Sequence, residues 1–499
     1  MGKFAPEEEF AEGSPALIVE VVGEAGLTGS DVSPPAWSPF FRQSCTFSPT
    51  LFKDVMWNLV KNPNINSSWL FRADILYDGE GPSHDIPEAL RHIPVIPAFQ
   101  GCECTRLVVR KLIPRNAQRD LPLDQTCIFY ESAAGQEVEK TLVVYIPHAS
   151  AADELPFYHP RVRGIALLHE WSPARAQGHV SVSFLLFDKV DRSEVKLTRT
   201  ALQLLMVLHK HGQGRVAGYV KRVHHDTLVA QRPFQDRYAE LKQKYARALI
   251  AGWAEATDPV KHVFEDLGIA AFLIELWTQM YQDRPFPGFV DIGCGNGLLV
   301  YLLNQEGYEG WGFDARTRKS WANYNTKSKS GKASEDTLRQ LVLLPSIVEG
   351  QRQDFDEHLV HDGRFPQGTF IISNHADELT PWTPIVATLS DCPFIAIPCC
   401  SHGLSGAKYR APPPKDKSKG ASAYASLVEW TSGIAQDCGW DVETEMLRIP
   451  STRNAALVGR TRLASPSSDI NVHEVVQKYG GAVGYFDSVV KLVKTAKEH

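Results

Sequence analysis

Phe289-Val-Asp-Ile-Gly-Cys-Gly-Asn-Gly297 is the stretch whose reading decides the fold. A short apolar strand runs straight into glycines at 293, 295 and 297, and Leu298 opens a helical pattern behind them. Glycines between a strand and a helix permit a tight turn and let a ligand approach the backbone, which a side chain would block. Asp291 stands at the strand tip and Asp314 closes the next apolar run, so two carboxylates flank the loop.

Outward from the loop, short apolar strands alternate with helical stretches, as in a doubly wound parallel sheet. Strands are expected at Phe289 to Ile292, Gly310 to Phe313, Thr369 to Ser373, Phe394 to Pro398, Glu445 to Ile449 and Ala455 to Val458, with a weaker one near Ile347 to Glu349. A long helix is expected over about Ala421 to Cys438. Upstream, Asp236 to Gln282 has helical periodicity, and Thr257-Asp258-Pro259 reads as a stop followed by a helix start. A helical pattern from Ser48 precedes strand-like runs at Leu107 to Ile113, Cys127 to Tyr130, Leu142 to Ile146, Ile165 to Leu168 and Val180 to Phe187, which reads as an α+β module. Residues 1–45, rich in Pro, Gly and acids, read as a flexible arm. The resulting expectation is an arm at 1–45, an α+β region at 46–240 and a doubly wound α/β domain at 241–499.

An acid inside the strand can meet the cationic amino-acid end of S-adenosylmethionine, and an acid after the second strand can accept the ribose hydroxyls. Nicotinamide-binding loops follow G-x-G-x-x-G, whereas this one is Asp-x-Gly-x-Gly-x-Gly, so S-adenosylmethionine is the expected cofactor. The rival readings are a nicotinamide dinucleotide and a ligand-free turn. Candidate cofactor-binding residues are Asp291, Gly293, Gly295, Asn296, Gly297, Asp314 and Asn374.

Strand four ends in Ser373-Asn-His-Ala-Asp-Glu-Leu-Thr-Pro-Trp382, at the sheet edge where ligands bind. His375, Asp377 and Glu378 supply a candidate base toward an acceptor hydroxyl, with His375 and Asp377 the candidate catalytic residues. The alternative is that Asp377 caps the following helix and His375 packs in a loop. Strand five ends in Ile397-Pro-Cys-Cys-Ser-His-Gly403, read as site lining.

The bulk numbers exclude other classes. A chain of 499 residues with 22% charged residues is ordinary for a globular protein, and it holds no apolar run long enough for a membrane span and no secretory signal. The expectation is a cytoplasmic protein. Nine cysteines at irregular spacing argue against a disulfide framework, and neither Cys102/Cys104 nor Cys399/Cys400 has a second pair at zinc-finger spacing, so no metal is expected. The net charge of −6 gives no overall nucleic-acid signature. Local basic stripes occur at Arg316 to Lys332, with Trp321 and Tyr324 interleaved, at His209 to His225, and at Arg106 to Arg119. These can neutralise phosphates or form solvated faces.

Taken together, Asp291-Ile-Gly-Cys-Gly-Asn-Gly-Leu298, Asn374-His-Ala-Asp-Glu-Leu-Thr-Pro-Trp382, Ile397-Pro-Cys-Cys-Ser-His402 and Leu447-Arg-Ile-Pro-Ser-Thr-Arg-Asn454 resemble the fungal tRNA (uracil-O(2)-)-methyltransferase family. The resemblance extends through Thr257-Asp-Pro259, Tyr219-Val-Lys-Arg-Val-His-His225 and Lys111-Leu-Ile-Pro-Arg-Asn116. It implies a class I methyltransferase with a Rossmann-like doubly wound sheet, preceded by a family-specific α+β region that engages tRNA. It further implies 2′-O-methylation of uridine 44 in serine tRNA, and makes Arg448 and Arg453 candidate RNA contacts. It leaves Asp377 and His375 as alternatives for the base and leaves protein partners open. The rival functions are methylation of a protein or small molecule, and RNA binding without catalysis.

Overall fold

The structure is a computed structural model that describes residues 4–8, 18–21, 36–81, 90, 96–116, 119–188, 190–219, 225–327, 335–349, 357–414, 422–463 and 470–496. The chain divides into two compact units, residues 1–220 and 221–499. The division thus precedes the boundary expected near 240, which falls inside a helix whose apolar face packs within the second unit.

The first unit contains β1 (Trp37–Cys45), α1 (Pro49–Lys61), β2 (Leu70–Glu80), β3 (Glu103–Pro114), β4 (Leu123–Glu131), β5 (Glu139–Pro147), β6 (Val162–Ser172), β7 (Gln177–Leu186) and α2 (Val195–Val216). An eight-stranded antiparallel sheet runs in the order Glu7–Glu8, β1, β7, β6, β5, β4, β3, β2. Strand alternation sends Val108, Phe129, Val143 and Tyr145 into one core with both helices, and Leu107, Val109, Ile128 and Tyr130 into a core on the other face. The Ser48 hydroxyl caps α1, with Pro49 in its first turn, and Phe52, Val55, Met56, Leu59 and Val60 form the buried stripe.

Two strands depart from expectation. Trp37–Cys45, assigned to the arm, is an interior strand that buries Trp37, Phe40, Phe41 and Cys45. Pro39 argues against a strand, but it lies where the pairing register with β7 shifts, and a bulge tolerates the missing N–H. Leu70–Glu80 carries Arg72, Asp74, Asp78 and Glu80, charges that suit its place at the sheet edge and hide its strand character.

The second unit begins with α3 (Gln231–Ala251) and α4 (Pro259–Met280). Asp258 caps α4 by accepting from the Val260 N–H at 2.9 Å, and Pro259 occupies the first turn. There follow β8 (Phe289–Ile292), α5 (Leu298–Gln305), β9 (Gly310–Asp314), α6 (Trp321–Tyr324), β10 (Leu338–Gln340), β11 (Phe370–Asn374), α7 (Thr383–Ser390), β12 (Phe394–Ile397), α8 (Ala423–Asp437), β13 (Trp440–Met446), β14 (Ala455–Arg462), α9 (Val472–Lys478) and α10 (Tyr485–Ala496). These strands form a seven-stranded mixed sheet of order β10, β9, β8, β11, β12, β14, β13, parallel from β10 through β12 and antiparallel at β14.

Both faces of this sheet are buried, which explains the nearly continuous apolar strands. Phe289, Phe370, Ile372, Ile395 and Ile397 pack toward α3, α4 and α5, while Val290, Ile371, Phe394 and Ala396 pack toward α7, α8, α9 and α10. The last hairpin differs from expectation: β13 ends at Met446, and Leu447 to Asn454 form its turn, closed by the Leu447 N–H on the Asn454 carbonyl at 2.8 Å. No strand forms at Ile347 to Glu349; a two-residue parallel pair, Val342–Leu343 with Val360–His361, lies apart from the main sheet. Among the described residues, no helix is long and apolar enough to cross a membrane.

Candidate active site

Reading outward from β8, strand succession runs to β9 and β10 on one side and jumps to β11 on the other. Such a switch point leaves a crevice beyond the carboxyl ends of the strands. A cleft of about 600 Å³ lies there, lined by Glu265, Asp266, Asp291, Gly293, Gly295, Asn296, Asp314, Asn374, His375 and Asp377 among others, with α10 closing one side. Eight of the nine residues singled out from sequence therefore converge on one cavity, and Gly297 stands behind it.

The loop is built by its backbone. The N–H groups of Gly293 and Cys294 both donate to the Phe313 carbonyl, at 2.8 and 3.0 Å, tying the turn to β9. Gly297 has φ +77°, and a Cβ there would come within 2.4 Å of Leu338 Cδ1, so this glycine is required by packing. At Gly295, with φ +54°, a Cβ would meet nothing within 4 Å, so the backbone is bared to the cleft. The Asn296 carboxamide oxygen accepts from the Leu298 N–H at 2.8 Å and so holds the start of α5.

Asp314 accepts from the Gly295 N–H at 3.1 Å and from the Arg316 N–H at 3.0 Å, one on each carboxylate oxygen. Asp291 is 1% exposed and its Oδ1 has no hydrogen-bond partner. Burial, with Asp266 and Asp314 nearby, raises its carboxyl well above the ordinary range. Asn374 donates to Asp266 Oδ1 at 3.5 Å and leaves its own Oδ1 buried without a partner. Buried acceptors of this kind, facing an open cleft beside bared backbone, suit a cationic, hydrogen-bonding ligand.

The second wall holds a pair that the sequence reading overlooks. Glu265 and Asp266 lie on α4 between Val263 and Leu267, buried where an apolar helix should be wholly apolar. Two adjacent acids inside such a run were the available signal. Burial and the Glu265 charge push Asp266 up to about 8. Burial is the largest influence on Glu265 and raises it, but the hydrogen bond from His375 together with the charges of His375, Lys261 and His262 outweighs burial and holds the carboxyl low. His375 Nε2 lies 3.0 Å from Glu265 Oε1, and His375 Nδ1 is buried without a partner.

His375 and Asp377 both have positive φ, 51° and 44°. Such backbone costs about 1–3 kcal/mol in a residue other than glycine and clusters at functional sites. Asp377 does not cap the 3₁₀ turn that follows: Ala376 occupies the cap position, and no side chain bonds there. The exposed Asp377 carboxylate instead accepts from the Cys399 thiol at 3.1 Å. Burial and Asp377 push that thiol well above its usual range, so it stays protonated. Where no metal is expected, the ligand atoms of Asp377, Cys399 and Cys400 lie within 4.8 Å of one another, the sole such group among the described residues.

Beyond Asp377 a second hollow of about 570 Å³ is lined by Cys399, Cys400, His402, Lys408, Tyr409, Arg410 and Arg453. Of the two arginines named from sequence, Arg448 is engaged by Asp226 through two hydrogen bonds, 2.9 and 2.6 Å. The Arg453 guanidinium lies 4.7 Å over the Tyr424 ring and borders the hollow. The stripe aromatics Trp321 and Tyr324 are 7% and 5% exposed and pack in the core, so they offer no surface for stacking. In that stripe Lys327 pairs with Asp336, and residues 328–334 lie outside the described residues. The His209 to His225 stripe includes residues 220–224, also outside them, and its Arg215 lies 3.7 Å from Asp54.

Comparison with known proteins bears on this arrangement. Residues 13–222 match the family described as TRM44-like, N-terminal bet v1-like domain, and residues 228–338 match the family described as predicted AdoMet-dependent methyltransferase. The tRNA (uracil-O(2)-)-methyltransferase of Neurospora crassa is 57% identical, covering 99% of this chain and 99% of its own. The proteins of the same name from Schizosaccharomyces pombe, 40% identical over 90% of this chain and 91% of their own, and Yarrowia lipolytica, 38% over 96% and 99%, are also similar. By these likenesses along nearly its whole length, the chain belongs to the tRNA (uracil-O(2)-)-methyltransferase family.

Proposed function

We propose that this protein transfers a methyl group from S-adenosylmethionine to the ribose 2′-oxygen of a uridine in tRNA, uridine 44 of serine tRNA being the target. The observation that carries the reading is the pair of hollows linked by the hydrogen bond from Cys399 to Asp377, Asp377 lining the one and Cys399 the other. The one lined by Glu265, Asp266, Asp291 and Asp314 suits a cationic methyl donor, and the one bordered by Lys408, Arg410 and Arg453 suits a phosphodiester. The sheet order with a single reversed strand supports a class I methyltransferase, Rossmann-like doubly wound fold. The first unit is the region that engages tRNA, and the cytoplasm is where the reaction takes place.

S-adenosylmethionine supplies a methyl group on a positively charged sulfur. Asp291 and Asn374, each with a buried oxygen that has no partner, would hold its cationic amino-acid end. Asp314 would accept from the ribose hydroxyls, and Gly293, Gly295 and Asn296 would form the cradle, with Gly297 shaping the turn behind it. With the methyl donor bound, Asp377 would face the acceptor and take its hydroxyl proton as the oxygen is methylated. The protonated Cys399 thiol orients Asp377 and is no nucleophile. His375, braced by Glu265, positions the loop that carries Asp377. Holding the acceptor hydroxyl beside the donor would supply much of the rate.

Incubation with tRNA and labelled cofactor, followed by mass mapping of nucleosides, tests the reading. The expected product is 2′-O-methyluridine. Label in protein or small molecules, or RNA binding with no methyl transfer, overturns it.

A further inference from the structure

At one end of the first unit's sheet, aromatic side chains stand in solvent. Trp69, just before β2, is 45% exposed, Phe157 is 55% exposed, and Leu121 nearby is 76% exposed. Trp69 and Phe157 meet edge to face, with centroids 5.4 Å apart. Isolated apolar residues on a surface need no explanation, but an exposed aromatic pair beside a third apolar side chain marks a contact surface.

Cations surround this pair. The Arg119 guanidinium lies 5.6 Å from the Trp69 ring centre, and the Lys196 ammonium lies 4.5 Å from that of Phe157. Arg115 lies 5.9 Å over Phe71, and its N–H donates to the Trp69 carbonyl at 2.9 Å. Burial and the charge of Arg161 lower the Lys196 amine against the opposing charge of Glu194, which places a second cation and one acid close by. Some other basic residues on this unit are matched, Arg42 with Glu170, Lys53 with Glu131, Arg106 with Asp78 and Lys111 with Asp124, while Lys61, Arg163, Arg175, Arg199 and Lys210 form no ion pair among the described residues. Arg115, Arg119, Arg161 and Lys196 likewise enter no ion pair among the described residues.

The ledge is preorganised. Leu70, Leu112, Leu123 and Leu155 form a small buried cluster, with Tyr158 packed against it. The Tyr158 hydroxyl donates to the Leu121 carbonyl at 2.8 Å, and Lys196 Nζ donates to the Phe157 carbonyl at 3.0 Å. Bases stack on aromatic faces of any sequence context, and unpaired cations beside them take the phosphates.

We infer that Trp69 and Phe157, ringed by Arg115, Arg119, Arg161 and Lys196, form a platform that stacks unpaired nucleotides of the RNA substrate and neutralises their phosphates. An acidic peptide would use the cations but leave the rings without partners, and a double helix would offer the rings no base faces. The inference rests on the tRNA reading above and adds where the first unit grips that RNA.

The test uses the full chain, labelled tRNA and a labelled unstructured oligouridine, with binding read by anisotropy. Trp69→Ala with Phe157→Ala should weaken both by roughly tenfold per base that no longer stacks and raise KM for tRNA, with affinity for S-adenosylmethionine unchanged. Trp69→Tyr, which keeps a ring, should bind within about twofold of the parent, given that stacking tolerates a change of aromatic face. Arg115→Glu with Arg119→Glu should flatten the salt dependence by about 0.7 in log–log slope for each phosphate left unneutralised. Unchanged tRNA affinity and KM in the aromatic and arginine variants would overturn the platform while leaving the methyl transfer intact. A parent protein that methylates no tRNA would instead sink the reading beneath it, and weaker binding of an acidic peptide, with RNA unaffected, would assign the ledge to a protein partner.

Discussion

Substitution of Asp314 separates a ligand-binding carboxylate from a structural one. An ionised carboxylate offers about four acceptor positions. Two of them are taken by the Gly295 and Arg316 N–H groups, one on each oxygen, which leaves one position per oxygen for the two ribose hydroxyls. Asp314→Ala removes both ligand bonds. At about 2 kcal/mol for each charge-assisted bond, the loss is about 4 kcal/mol, a weakening of S-adenosylmethionine binding of roughly a thousandfold. Asp314→Asn is the sharper probe. Whichever way its amide turns, the NH₂ group faces a backbone N–H and one loop bond fails, while the ribose hydroxyl on that side can turn to accept from the NH₂, so cofactor binding loses mainly charge assistance, about 1 kcal/mol or roughly fivefold. Titration calorimetry at fixed ionic strength reads both values, and thermal unfolding without cofactor reports how much of the loop bond each variant loses. Equal cofactor affinity in parent and Ala variant, with the fold intact by circular dichroism, would refute the role given to this carboxylate.

Two other expectations are open to direct measurement. Asp377→Asn should lower kcat by about 10²- to 10⁴-fold, in the range of a lost general base, with cofactor affinity within twofold of the parent; an active variant would return the residue to a structural role. His159 and His169 are buried neutral, with burial pushing both down to about 4. Because the folded values lie below the unfolded one near 6.5, their contribution to stability is complete above about pH 6.5 and is lost as pH falls toward 4, on the order of 3 kcal/mol for each. Unfolding temperature followed from pH 7 to 4.5 should fall less steeply in His159→Gln/His169→Gln than in the parent, and parallel curves would refute this assignment.

The sequence by itself determined the elements whose cause is local. The glycine loop between β8 and α5, the Asp258-Pro259 helix start and the apolar strands of a sheet buried on both faces are written in nearest-neighbour chemistry. Asp291 was readable because a strand tip before a glycine turn has few structural uses for an acid, and Asp314 because it closes the next apolar strand. Tertiary structure decided what depends on distant residues. Pro39 is compatible with a strand only because β7 shifts register opposite it, and Trp321 and Tyr324 sit inside the core rather than on a basic face. Glu265 and Asp266 become part of the site only when α4 is laid across the end of β11, which brings Glu265 to His375 and Asp266 to Asn374. Arg448 and Arg453 are near neighbours in one turn, yet Asp226 occupies the first, while the second borders the cation-lined hollow. Local pattern fixes backbone conformation over a few residues, whereas the pairing of charges and the burial of rings are set by contacts between segments far apart in the chain, which no local pattern encodes.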